Sequence, residues 1–170
     1  MLRCWQVWLC IALALPVTQV ARGRDGDDMV VKARVVLAVA RFAELPGESR
    51  NSSPMRLCLL WKGAVPGTFL DLAQQKVGAR QMEVIASPPY VACDVIYIHE
   101  SAPDWRRVLA EPRPPALTLG DAPGFLAGGG MIELIIENDA VRFDVNLPAL
   151  RRQGIRLSAQ VLKLARRVQE

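Results

Sequence analysis

Leu117-Thr118-Leu119-Gly120-Asp121, followed after a loop by Gly128-Gly129-Gly130-Met131-Ile132-Glu133-Leu134-Ile135-Ile136, decides how this chain is read. The first run is short and apolar, and the second starts directly after three glycines. Asn138-Asp139 then separates it from Val141-Arg142-Phe143-Asp144-Val145. The pattern predicts three strands, with a glycine-marked loop over Gly120–Gly130 between the first two. Asn and Asp tolerate positive φ, so Asn138-Asp139 predicts a tight hairpin turn between Met131–Ile136 and Val141–Val145. Val141, Phe143 and Val145 alternate with Arg142 and Asp144, which predicts one solvated face.

Upstream, Leu57–Trp61, Met82–Ala86 and Cys93–His99 are near-continuous apolar runs, as expected for strands buried on both faces. Helical spacing fills the gaps. Val31, Val35, Ala38, Val39 and Phe42 form an apolar stripe over Met29–Phe42, with Lys32, Arg34 and Arg41 away from it. Thr68–Gln75 reads as a short helix and Val77–Arg80 as a break. Ser101 stands as the N-cap of a helix over Pro103–Ala110. Pro46-Gly47, Ser49–Pro54 and Ser87-Pro88-Pro89 read as stops and loops. Downstream, Asn146 caps a short helix with Pro148 in its first turn, closed by Gly154. Ser158 caps a final helix whose stripe is Val161, Leu164, Ala165 and Val168. Strands alternating with helices predict an α/β fold: a central mixed, mostly parallel sheet with helices on both faces and an antiparallel hairpin near the C-terminus.

The length of 170 residues suits one domain, expected over residues 29–170. Residues 1–23 contain Arg3 and Arg22 but no acid, and their apolar heart, Val7–Leu15, is too short to span a bilayer comfortably. That pattern predicts a signal peptide cleaved near residues 21–23, with an uncleaved anchor as the alternative. Without it, 19 Lys and Arg stand against 17 Asp and Glu, too small an excess to argue for nucleic acid. Export leaves Cys58 and Cys93 as the cysteines beyond the leader. Two readings stand: a disulfide closing a loop of 35 positions, or two buried small hydrophobes.

Chemistry-bearing patterns are sparse. Gly128-Gly129-Gly130 precedes a strand, so neither a phosphate loop nor a dinucleotide fingerprint fits. An anion-binding nest competes there with a plain structural loop needing positive φ. His99 is the single histidine, beside Glu100 and Ser101, and no serine lies in a nucleophile-elbow context. No catalytic residue, cofactor or metal site is expected, since two cysteines and one histidine cannot complete a metal's ligand set. Arg151, Arg152, Arg156, Lys163, Arg166 and Arg167 crowd the last twenty residues. They read either as a docking face for an acidic partner or as a solvated helix face.

Leu117–Asp121, Phe125 and Gly128–Ile132 together resemble the signature of the YfiR family of periplasmic proteins. Val141-Arg142-Phe143 with Asn146-Leu147, Leu157-Ser158 with Leu162, Leu164 and Ala165, and Lys32-Ala33 with Phe42–Pro46 extend the likeness. So do Cys58 in the first strand and Cys93-Asp94 opening a later one. The resemblance implies a non-enzymatic periplasmic repressor. It would bind the periplasmic portion of an inner-membrane diguanylate cyclase of the YfiN type and hold it inactive, so that cyclic-di-GMP and biofilm formation rise when it is lost. It also implies a homodimer, and a redox-sensitive bridge between Cys58 and Cys93. Two departures stand out: Leu45 replaces the family's usual Trp before Pro46, and no second cysteine pair lies near the triple glycine. Arg152, Arg156, Lys163 and Arg167 are the residues singled out for partner binding. The competing expectation is a receptor for a small-molecule effector, with its pocket at the Gly120–Gly130 loop.

Overall fold

The structure is a computed structural model that describes residues 23–46, 54–86, 90 and 93–170. The leader up to residue 22, the loop 47–53 and Ser87-Pro88-Pro89 lie outside those residues. The chain runs α1 (Gly23–Arg41), β1 (Ala43–Glu44), β2 (Met55–Leu60), α2 (Gly67–Leu70) with a 3-10 turn at Asp71–Gln74, β3 (Lys76–Val77) and β4 (Arg80–Ala86). It continues through β5 (Val95–Ile98), α3 (Trp105–Ala110), β6 (Leu117–Gly120), β7 (Ile132–Glu137) and β8 (Ala140–Asn146). The last elements are α4 (Leu147–Arg152), β9 (Arg156–Leu157), α5 (Ala159–Leu164) and β10 (Arg167–Gln169).

The main sheet has the order β10-β8-β7-β6-β5-β2-β4-β3. Strands β4, β2, β5, β6 and β7 are mutually parallel, and β7 and β8 form the antiparallel hairpin. The mixed, mostly parallel sheet expected from the sequence is therefore observed. Successive residues of a strand point to opposite faces. Leu57, Leu59, Val95, Tyr97, Leu117 and Leu119 share one core with Val36, Val39 and Ala40 of α1. Cys58, Ile96 and Ile98 share the other with Trp105 and Val108 of α3. Burial on both faces explains why these strands read as unbroken apolar runs. The hairpin turn is as expected, with Asn138 at φ 52° and Asp139 at φ 58°. Asn146 caps α4 by accepting from the Ala149 N–H at 3.0 Å.

Several local expectations are corrected. Helix α1 starts earlier and buries a different stripe: Lys32, Ala33, Val36, Val39 and Ala40 point inward, while Val31 and Phe42 are exposed. The reason is an interior carboxylate that receives the Lys32 ammonium. Val77–Arg80 is a tight antiparallel turn between β3 and β4 rather than a break, with Gly78 at φ 61°. Ser101 does not cap α3; Asp104 occupies that position without a side-chain bond. Asp144 on the expected solvated face of β8 is buried, because Arg166 donates to it from Nε and Nη2 at 2.9 and 2.6 Å. That anchor also ends the last helix early. Helix α5 stops at Leu164, which is exposed, and Val168 pairs with Val145 in β10.

Cys58 and Cys93 are joined in a disulfide, with their Cα atoms 5.9 Å apart. Both are buried, so the bridge ties the middle of β2 to the entry of β5 from within the α3-side core. In the chain-entropy account, closing a 35-residue separation stabilises by about 3–4 kcal/mol. Urea unfolding of the oxidised protein against a Cys58→Ala/Cys93→Ala variant should show a loss of about that size. Equal midpoints would remove the bridge from the forces that hold the fold.

Candidate functional site

The chain passes from β2 to β4 on one side, then returns to β5 on the other, so β2 and β5 flank a topological switch point. In open α/β sheets the carboxyl ends of strands at such a point are where ligands and reactive groups collect. Trp61 follows β2, His99 follows β5 and Asp121 follows β6. Lys32 reaches the same place from α1.

Asp121 is the hub. Its Oδ2 accepts from Lys32 Nζ at 2.6 Å and from the Tyr97 hydroxyl at 2.8 Å, and its Oδ1 accepts from the Glu100 N–H at 2.6 Å. The Lys32 and Asp121 side chains are only 5% and 3% exposed, so this is an ion pair out of water. Burial, then the Asp121 charge, hold Tyr97 as a neutral phenol far above its usual range. The His99 ring stacks on Trp61, 3.7 Å between centroids and 11° apart, with Nε2 3.9 Å from Asp121 Oδ2. His99 Nδ1 accepts from the Ser101 N–H at 3.2 Å and lies 2.7 Å from Ser101 Oγ. Acceptance at Nδ1 leaves the ring proton of the neutral form on Nε2, facing Asp121. Burial is the main cause that lowers the His99 pKa, and Lys32 adds to it, against Asp121 and Glu100, which raise it.

Ser101, His99 and Asp121 thus come together, but not as a working nucleophile. The serine Oγ also accepts from the Lys62 N–H at 3.3 Å, and the carboxylate is already engaged by three donors. What the cluster does is clamp α1 to three strand ends.

Gly128-Gly129-Gly130 serves packing. Only Gly129 of the three has a positive φ, 96°. A Cβ on Gly128 would overlap the Trp105 ring, and one on Gly130 the Phe125 ring. Phe125 is wholly buried, with its ring where a Cβ on Gly120 or Gly130 would stand. Arg152 ends α4, Arg156 lies in β9, Lys163 in α5 and Arg167 in β10. All four are exposed, and they are spread over four elements instead of one helix. Sequence reasoning missed Lys32, Tyr97, Asp121 and the Arg80–Asp94 pair. The Lys32-Ala33-Val36-Val39-Ala40 spacing was the available signal for the first of these.

Residues 29–166 match the profile of the YfiR/HmsC-like family, from within α1 to the residue before β10. The chain belongs to this family. YfiR/HmsC-like proteins are periplasmic and regulatory, and the family is associated with control of diguanylate cyclases. The matched span contains the switch-point cluster, the Cys58–Cys93 bridge and the Phe125 loop. Among the described residues, no helix of this YfiR/HmsC-like chain is long and apolar enough to cross a membrane.

Two measurements probe the cluster. Asp121→Ala strands a buried ammonium and should lower unfolding stability by about 3–5 kcal/mol, whereas a paired Lys32→Met/Asp121→Leu change should be milder. His99 should also leave a pH signature. Its folded pKa lies below the unfolded value of 6.5, so its contribution to stability is fully present above that pH. The contribution is lost as pH falls through the depressed folded value. Urea midpoints should drop on acidification less steeply in His99→Gln than in the parent; identical profiles would clear His99 of the effect.

Proposed function

We propose that the protein is a periplasmic repressor that binds the periplasmic portion of an inner-membrane diguanylate cyclase and holds it inactive. The observation that carries this reading is membership of the YfiR/HmsC-like family across residues 29–166. The buried bridge supports it, because disulfides persist in exported proteins and are rare in reducing compartments. The switch-point cluster supports it as well, since its polar groups are engaged in holding α1 to the sheet. Repression by contact requires tighter binding to the inactive cyclase than to the active one; equal affinity for both would shift nothing.

Exposed Arg152, Arg156, Lys163 and Arg167 supply the positive charge for such a contact, and charge complementarity acts chiefly on encounter rate and specificity. The protein acts as a homodimer in this reading, exported with its leader removed near residues 21–23. Its single described domain carries no chemistry of its own.

Intracellular cyclic-di-GMP compared in cells with and without the gene tests the proposal. Deletion should raise it, and deleting the cyclase as well should abolish the rise; an unchanged level in both strains would sink the repressor reading. Arg152→Glu/Arg156→Glu should raise cyclic-di-GMP toward the deletion level while the purified variant keeps the parent's unfolding midpoint. Full repression by that variant would take these two residues out of the contact.

A further inference from the structure

Helix α1 carries two apolar stripes that differ by one residue. Ala33, Val36, Val39 and Ala40 face the sheet together with Lys32. Val31, Val35 and Ala38 stand one position before Lys32, Val36 and Val39; Val31 and Ala38 are exposed, and Val35 is half-buried. One residue is about 100° of helical rotation, so a turn of that size would bring the second stripe onto the sheet. Apolar burial depends on area rather than direction, and it separates the two rotations weakly. The buried Lys32–Asp121 pair makes the choice.

The oxygen that holds Lys32 has no capacity to spare. Asp121 Oδ2 accepts from Lys32 Nζ at 2.6 Å and from the Tyr97 hydroxyl at 2.8 Å, one donor for each lone pair. His99 Nε2 stands 3.9 Å from the same atom. A protonated His99 is a second cation, and it can close on Oδ2 only by displacing one of the two donors. Tyr97 is wholly buried in β5, where a displaced hydroxyl would be left without a partner. Lys32 lies on a helix at the protein surface, and its long stem can carry the ammonium to water. Lys32 is therefore the donor that leaves.

Among the described residues, the charged groups that act on His99 are Asp121 from the end of β6, Glu100 beside it in the chain and Lys32 from α1. The two carboxylates favour a charged ring, while burial and Lys32 oppose it. The Trp61 ring stacked on His99 adds cation–π attraction for the imidazolium. Ser101 Oγ, 2.7 Å from Nδ1, can accept the bond of the added proton. The proton and the bound lysine thus exclude one another.

We propose that a proton on His99 displaces Lys32 from Asp121 and releases α1 to turn toward its second stripe. The charged ring is disfavoured while Lys32 is in place, so by linkage release grows as pH falls below 6.5, the ordinary imidazole value. The purified protein tests this without any cyclase, so the proposal does not rest on the repressor reading.

Amide hydrogen exchange, corrected for its intrinsic pH dependence, is compared at about pH 8 and about pH 5, the range in which imidazole changes charge. Protection of Val36, Val39 and Ala40 should fall by about tenfold on acidification, with Val95–Ile98 of β5 changing less. A soluble paramagnetic agent should broaden the Val36 methyl signals more at the acid end and the Val31 methyl signals less. His99→Gln should hold both readouts constant across the range. So should Lys32→Met/Asp121→Leu, which contains neither member of the pair. Unchanged protection of α1, an equal loss in α1 and β5, a response that survives in either variant, or Val31 methyls that become no less accessible would each overturn the proposal.

Discussion

The Lys32–Asp121 ion pair is the constraint on which the rest of the structure depends. It joins positions 89 apart in the chain and is held at 2.6 Å out of water. Withdrawing two charges from solvent is costly, and mutual attraction offsets that only when the remaining lone pairs also find donors. Here Tyr97 and the Glu100 N–H supply them. The consequence is specificity of placement: α1 has one rotation in which its lysine meets the carboxylate, and in that rotation Val36, Val39 and Ala40 meet the sheet. A purely apolar helix face would slide or rotate at little cost.

Around that clamp the two faces of the sheet solve different problems. On the α1 side, aliphatic strand residues and Phe69 surround Tyr97, whose ring lies 4.6 Å from that of Phe69. On the α3 side, the covering layer is a six-residue helix and an irregular loop, which offer less to bury. Phe125 and Trp105, with ring centroids 5.5 Å apart, fill that gap, and Gly120, Gly128 and Gly130 make room for them by having no side chains. The disulfide is on this thinner side. A covalent link is thus found where noncovalent packing has the least material.

The strands were legible in the sequence because each carries its own signal: unbroken apolar runs for β2, β5 and β6, and the Asn138-Asp139 turn for β7 and β8. The caps at Asn146 and Ser158 were legible for the same local reason, both accepting an N–H three residues on. What escaped depends on distant partners. Lys32 looks solvent-facing in sequence because nothing near it in the chain neutralises it. Asp144 looks exposed in sequence because Arg166 lies 22 positions away. The end of α5 is not legible locally, because Val168 fits a helical stripe as well as it fits β10, and only the neighbouring strand β8 decides between them. The cluster at the strand ends is made of such long-range meetings, and for that reason its chemistry could not be seen in any single window of sequence.

The stacking of Trp61 on His99 has an optical consequence. Protonated imidazole quenches indole emission on contact, and these two rings are 3.7 Å apart. Beyond residue 22 the chain contains just one other tryptophan, Trp105, which packs against Phe125 on the opposite side of the sheet. The intensity of Trp61 is therefore a built-in gauge of the charge on His99. It reads, without a label, whether the clamp that fixes α1 is in its neutral-ring form.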